Sequence, residues 1–273
     1  MKFFKGKTVL IIGGTGTLGD ETIKQLLQTE ARTIRTLSRN EHKVFLLKQK
    51  YAKHEKRLRF LLGDIRDKNR IDLAMTGVDI VINFAAIKHV FFANTNPFET
   101  LNTNVIGVQN ALECAVKHNI ETFVQMSTDK AVSPTCFYGC SKAMAEHLVL
   151  QAKEWQGYGK TKFVVIRSGN VLESTGSVLE IWKSQKEQGI PLTVTDMNAV
   201  RYAAPREKIV SAILDTVYKG INGLVVLSMP KYKVKDLLTQ FQPCETQIIG
   251  LQDGEKISEV LYREGEKFTE VVV

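Results

Sequence analysis

The chain of 273 residues has no run approaching the roughly 18 consecutive apolar residues needed to cross a bilayer. Its start, MKFFKGKTVLIIGG, also lacks the apolar stretch and small-residue cleavage site of a signal peptide. Both absences argue for a cytoplasmic protein with no membrane partner. Cysteine is scarce too. Cys114, Cys136, Cys140 and Cys244 show no C-x-x-C spacing, so they read as free thiols and no metal site is expected. There is no internal repeat and no low-complexity linker, which excludes a solenoid or a beads-on-a-string arrangement.

Positive charge is present in excess, at +8 with a pI near 9.2, and it is unevenly placed. Residues 30–70 hold thirteen Lys/Arg against five Asp/Glu and so carry the whole excess. Much of it lies in HKVFLLKQKYAKHEKR, which reads as a solvated helix with Val44, Leu46 and Leu47 facing inward. A basic edge of this kind attracts phosphate-bearing ligands. It lacks the interleaved aromatics that stack on bases, so nucleic acid is not an expected partner.

Short β-branched runs alternate with amphipathic stretches through the first half: TVLII, TIRTL, LRFLL, DIVINFA, TFVQMS and KFVVIR. Such alternation predicts an α/β fold, a Rossmann-like doubly wound parallel sheet of about seven strands covered by helices on both faces. Beyond Gly169 the pattern loosens into a smaller mixed α/β lobe. The expected division is a dinucleotide-binding domain over 1–168, which includes the catalytic residues, and a substrate lobe over 169–273, some of whose segments can return to the main sheet.

After the first strand comes GGTGTLG, with Gly13, Gly16 and Gly19 in G-x-x-G-x-x-G spacing before the helix DETIKQLL. A strand, a glycine loop and a helix in this order form a cradle for a pyrophosphate at the helix N-terminus, with Thr15, Thr17 and Leu18 in the same loop. The second strand ends in Ser38-Arg39-Asn40, about 20 residues on, where an acidic residue would favour NAD. A cation there suits a 2′-phosphate, so the cofactor expected is NADP in preference to NAD. Asp64 and Ile65, after the third strand, are placed for the adenine, although Asp64 could equally be an N-cap. Ala85, Ala86 and Lys88 follow the fourth strand and complete the expected cofactor crevice.

The fifth strand ends in Ser127-Thr128-Asp129-Lys130, and Tyr138 and Lys142 follow at i, i+4 on one helix face. The expectation is that the Lys142 ammonium lies beside the Tyr138 phenol and lowers its pKa, making the phenolate a usable base.

These motifs, GGTGTLG, NFAAIKHV, TNVIGVQN, STDKAVSP, YGCSK and RSGNV, together resemble the extended short-chain dehydrogenases/reductases, in particular soluble UDP-N-acetylglucosamine 4,6-dehydratases of the C5-inverting type. The C-terminal GLQDGEKISEVLYREGE is similar to a further segment of that family. The resemblance implies a UDP-sugar substrate, a homo-oligomeric assembly and an internal redox dehydration. In that reaction Tyr138, held by Lys142 and Thr128, takes the C4 hydroxyl proton, Lys130 is the C5 base and Asp129 the acid at the C6 hydroxyl. The base role asks for a neutral Lys130 and so for a lowered pKa. Lys88, His89, Asn170 and Arg201 are the implied substrate contacts, and Asn104 a buttress for the active-site helix. A nucleotide-sugar 4-epimerase is the neighbouring alternative, and a non-catalytic dinucleotide sensor a more distant one. The chain departs from the family pattern at Phe91, Asn94 and Ala203, all on the sugar-recognition side.

Overall fold

The computed structural model describes residues 2–157 and 159–273. It begins with β1 (Thr8–Ile12), α1 (Thr17–Leu27), β2 (Thr33–Ser38), α2 (Glu41–Lys50), β3 (Leu58–Leu62) and α3 (Lys68–Met75). Then come β4 (Ile80–Asn83), α4 (Val90–Thr95), α5 (Pro97–Leu101), a π-helical turn (Asn102–Ile106) and α6 (Gly107–Lys117). β5 (Thr122–Thr128), the long α7 (Phe137–Trp155) and β6 (Lys162–Ser168) complete this half.

The six strands lie in the order β3-β2-β1-β4-β5-β6, and every pair is parallel. Successive β-strand side chains point to opposite faces. Val9 and Ile11 therefore enter one core with Ile23 and Leu26 of α1, while Leu10 and Ile12 enter the other with Ile71, Val108 and Val149. Two buried faces explain why these strands are apolar at every position rather than at alternate ones.

The remainder supplies β7 (Asn170–Leu172), α8 (Val178–Glu187), β8 (Leu192–Val194), β9 (Val200–Pro205), α9 (Arg206–Tyr218), β10 (Gly223–Ser228), β11 (Lys231–Lys233), α10 (Val234–Leu238), β12 (Thr246–Ile248) and β13 (Thr269–Val272). β10 and β13 extend the main sheet past β6, so it has eight strands rather than seven. β13 escapes a reading of the sequence because this short edge strand mixes charged and apolar residues and is largely exposed. The sheets β11-β9-β7 and β12-β8 belong to a smaller unit with its own core around Trp182, whose indole nitrogen donates to the Thr193 carbonyl at 2.8 Å.

On α2 the inward stripe is Val44 and Leu47, continued just past the helix by Tyr51, and Leu46 is exposed. The i, i+3, i+7 spacing keeps the first three on one face, and Leu46 is rotated away from it.

Candidate active site

The site lies along the C-terminal edge of the parallel sheet, at the switch point between β1 and β4 where such folds open a crevice. Gly13 has φ +86°, a left-handed conformation that suits glycine, and a Cβ there would stand 2.9 Å from the Ala85 nitrogen. At Gly19 a Cβ would lie 2.5 Å from the Gly13 carbonyl, so its absence lets α1 pack onto the turn. Gly16 is the N-cap of α1 and offers no side-chain cap. The first amides of this 11-residue helix are thus left for an anionic ligand. Thr15 N donates to Ser38 Oγ at 3.2 Å, tying the loop to the end of β2. These features fit a dinucleotide.

At the end of β2, Arg39 is 60% exposed, with its guanidinium 3.9 Å from Asp64. Arg66 holds the Asp64 carboxylate through its amide and its guanidinium, at 3.0 and 2.7 Å. Against the effect of burial, these bonds lower the Asp64 pKa. The N-cap of α3 is Asp67, not Asp64, and Asp64 lines a surface hollow with Arg66, Asp67, Asn102 and Ile106. Asn40 caps α2 by accepting from Lys43 N at 2.9 Å. Ile65 is buried against Gly107, and Ala85 N is held by Asn83 Oδ1 at 3.0 Å.

The chemical centre gathers where β5 ends and α7 begins. Thr128 Oγ1 donates to Asp129 Oδ1 at 2.9 Å, and Lys130 Nζ donates to the same oxygen at 3.1 Å. Asp129 is fully buried, and its Oδ2 has no hydrogen-bond partner among the described residues. Tyr138 is buried as well, and burial pushes its phenol up to about 12. The cation that opposes this rise is Lys130, not Lys142 as the i, i+4 spacing suggested. Lys142 Nζ donates instead to the main-chain carbonyl of Met126 in β5, and burial pulls its pKa down to about 8, partly offset by Glu146. A shared helix face brings the two Cα positions together, but the long lysine chain reaches past the phenol to an acceptor in the sheet.

The expected lowering of the Lys130 pKa is also corrected. Burial does pull it down, but Asp129 and Glu259 outweigh burial and hold it above the usual lysine value. Glu259 lies 3.5 Å from Lys130 Nζ and 3.5 Å from Lys256 Nζ. It is a site residue that reading the sequence missed. The signal in the sequence was the resemblance of GLQDGEKISEVLYREGE to a family segment, which gave Glu259 no role, since the stretch has no regular secondary structure to show which side chains turn inward.

A second buried network supports this centre from behind. Glu146 of α7 accepts from Ser127 Oγ and from the Arg167 guanidinium, which also pairs with Glu266 at 2.7 Å and donates to the Leu261 carbonyl at 3.0 Å. Asn104, in the π-helical turn, grips Ile87 N and O at 2.8 and 3.0 Å and donates to Ser141 Oγ at 3.0 Å, linking the β4 loop to α7.

After β4, Lys88 Nζ donates to the Thr175 carbonyl at 2.7 Å, and the His89 ring stands against Gly176. Burial lowers the pKa of both groups. Thr175 N also reaches Thr17 Oγ1 at 3.4 Å, so one loop touches both the glycine turn and the residues after β4. Asn170 is exposed at the start of β7, and Arg201 donates to the Ile257 carbonyl at 2.9 Å. The structure does not hydrogen-bond Asn170 and Arg201 to the Tyr138 cluster.

Residues 9–273 match the polysaccharide biosynthesis protein family. The chain belongs to this family. The member is 39% identical to an uncharacterized membrane protein of Methanocaldococcus jannaschii over 97% of this chain and 83% of that protein. Among the described residues, no helix is long and apolar enough to cross a membrane. It is 35% identical to a UDP-N-acetylglucosamine 4,6-dehydratase (inverting) of Campylobacter jejuni and 34% identical to a UDP-glucose 4-epimerase of Rickettsia conorii, over 94% of this chain and 78% of each relative. The structure of Pen from Bacillus thuringiensis superposes with a TM-score of 0.92 at 35% identity, over 96% of this chain and 85% of that one. The dTDP-glucose 4,6-dehydratase DesIV of Streptomyces venezuelae, solved with NAD bound, shares the fold at a TM-score of 0.82 and 22% identity, over 93% and 88% of the two chains. The polysaccharide biosynthesis family member thus has the extended short-chain dehydrogenase/reductase fold, and its named relatives are nucleotide-sugar dehydratases and epimerases.

Proposed function

We propose that this protein is an NADP-dependent UDP-N-acetylglucosamine 4,6-dehydratase of the C5-inverting type, producing a 6-deoxy-4-keto sugar. The observation that carries the reading is the Asp129–Lys130 pair, joined at 3.1 Å beside Tyr138 with Asp129 fully buried. A 4-epimerase needs a base at the C4 hydroxyl only, whereas dehydration needs a further base at C5 and an acid at C6. The relatives named as dehydratases support the same choice.

The glycine loop from Gly13 to Gly19 and the open amides of α1 would hold the pyrophosphate, with Ser38 and Arg39 at the 2′-phosphate. The nicotinamide ring, when bound, would supply reversible two-electron hydride chemistry for the C4 and C6 carbons. Tyr138, as its phenolate, takes the C4 hydroxyl proton; the Lys130 ammonium favours that form against the effect of burial, and the charge of an oxidised nicotinamide, when bound, would add to it. The resulting ketone acidifies C5. Lys130 begins as an ammonium, and passing one proton from its Nζ to Asp129 Oδ1 creates two catalysts at once. The neutral amine accepts the C5 proton, and the carboxylic acid protonates the departing C6 oxygen, which leaves as water. Both groups then stand in their starting protonation states, and the cycle closes when a solvent-derived proton reaches C5 from the opposite face as hydride returns to C6, while Tyr138 releases the C4 proton to solvent. Lys88, His89, Asn170 and Arg201 are assigned to the nucleotide sugar.

The test is incubation with UDP-N-acetylglucosamine and NADP in heavy water, followed by mass spectrometry and NMR. Loss of one water with deuterium at an inverted C5 is the expected result. An unchanged sugar composition with a new C4 isomer would replace the dehydratase by an epimerase. Lys130→Ala should abolish water loss while NADP still binds.

A further inference from the structure

The segment between β12 and β13 has almost no regular structure, yet it is tied firmly to its surroundings. Thr135 Oγ1 donates to the Gly254 carbonyl at 2.8 Å, and Lys256 Nζ donates to the Val132 carbonyl at 2.9 Å. Val200 N donates to the Ile257 carbonyl at 2.8 Å, and Arg201 reaches the same oxygen. None of these bonds involves the Glu259 side chain, so the segment is anchored without it.

What the anchoring delivers is a single buried carboxylate. The Glu259 side chain is 2% exposed, with Oε1 3.5 Å from Lys130 Nζ and Oε2 3.5 Å from Lys256 Nζ. Its Oε2 makes no hydrogen bond among the described residues. Removing a carboxylate from water is costly, and here hydrogen bonds do not fully repay it. Its charge is met by the two ammonium groups at 3.5 Å, and one of them belongs to the acid–base pair, in which Lys130 must stand in line with Asp129 for a proton to pass between them.

We propose that Glu259 is a positioning residue for the reaction, fixing the Lys130 ammonium against Asp129 from the C-terminal segment. The inference rests on the 4,6-dehydratase reading of the site. The groups acting on Lys130 are Asp129 on its own turn, Tyr138 from α7 and Glu259, with Lys256 behind Glu259. Replacing Glu259 by glutamine keeps the shape and removes one of the two carboxylates that hold Lys130 protonated. Lys130 then releases its proton at lower pH, and its placement loosens.

The experiment compares wild type, Glu259→Gln and Glu259→Asp as NADP-loaded full chains. Carbon-13 NMR of ε-labelled lysine follows the Lys130 titration, with its resonance assigned by its loss in Lys130→Met. Steady-state kinetics with UDP-N-acetylglucosamine run alongside. Glu259→Gln should lower the Lys130 midpoint by about one unit. It should cut kcat about ten- to a hundredfold with KM within about twofold, and Glu259→Asp should restore part of both. An unmoved midpoint, or a wild-type kcat in Glu259→Gln, overturns the proposal. If wild type releases no water from the sugar, the dehydratase reading falls by itself. The Lys130 titration still decides whether Glu259 acts on Lys130.

Discussion

The Lys142 ammonium, buried in α7, donates to the main-chain carbonyl of Met126 in β5 rather than meeting the Tyr138 phenol. Its folded-state pKa of about 8 lies below the ordinary 10.5, because burial disfavours the charge. The unfolded chain therefore binds more protons between these values, and stability climbs as pH rises from 8 towards 10.5. Below pH 8 the full penalty is present, about 3 kcal/mol before the Met126 bond is counted. Lys142→Met should accordingly raise stability at pH 7 by about 1–3 kcal/mol while abolishing turnover, and the gain should vanish by pH 10.5. Urea unfolding at several pH values checks this; a variant less stable than wild type at pH 7 would mean that the hydrogen bond outweighs the cost of burial.

Lys130 sits between two buried carboxylates, so its removal should be felt in stability as well as in turnover. Lys130→Met leaves Asp129 and Glu259 without their shared cation and should cost about 3 kcal/mol or more. Adding Glu259→Gln to that variant should recover part of the loss, because one uncompensated charge is gone. Strictly additive losses in thermal unfolding would argue that the two side chains are not coupled.

The Glu146–Arg167–Glu266 network is mostly buried, with side chains 6%, 3% and 22% exposed. Glu146→Gln should cost roughly 3–5 kcal/mol, because Arg167 loses a charged partner inside the fold. Glu266→Gln, nearer the solvent, should cost less. Denaturant midpoints give the comparison directly, and an equal or reversed order would sink it.

Arg39 tests the choice of cofactor. Its guanidinium is largely exposed and, among the described residues, restrained only by Asp64 at 3.9 Å, which leaves it able to turn to a 2′-phosphate. Arg39→Ala should weaken NADP binding about tenfold or more and leave NAD binding nearly unchanged. Nucleotide fluorescence titrations would measure both, and a parallel loss for the two cofactors would remove Arg39 from the specificity role.

Much of the site could be read from the chain because it sits at strand ends. In a doubly wound sheet the C-terminal ends of parallel strands converge on one crevice, so Gly13, Ser38, Asp64, Ala85 and Thr128 are brought together by the topology itself. Thr128, Asp129 and Lys130 are adjacent in sequence, which made their proximity visible in advance. Glu259 could not be found this way. It reaches Lys130 across more than a hundred residues, from a segment with no periodicity to announce which side chains turn inward.

The amino-acid sequence by itself determined the parallel sheet, the glycine turn and the juxtaposition of Asp129 with Lys130, since hydrophobic period, local sterics and chain adjacency act over short distances. Only the tertiary structure decided which groups set the charge on each titratable side chain. Burial raises Tyr138, lowers Lys142 and opposes the charge on Lys130, but Lys130 also gains a distant carboxylate. A pKa is the balance of desolvation against all nearby charges, and those neighbours come from β5, α7 and the C-terminal segment together.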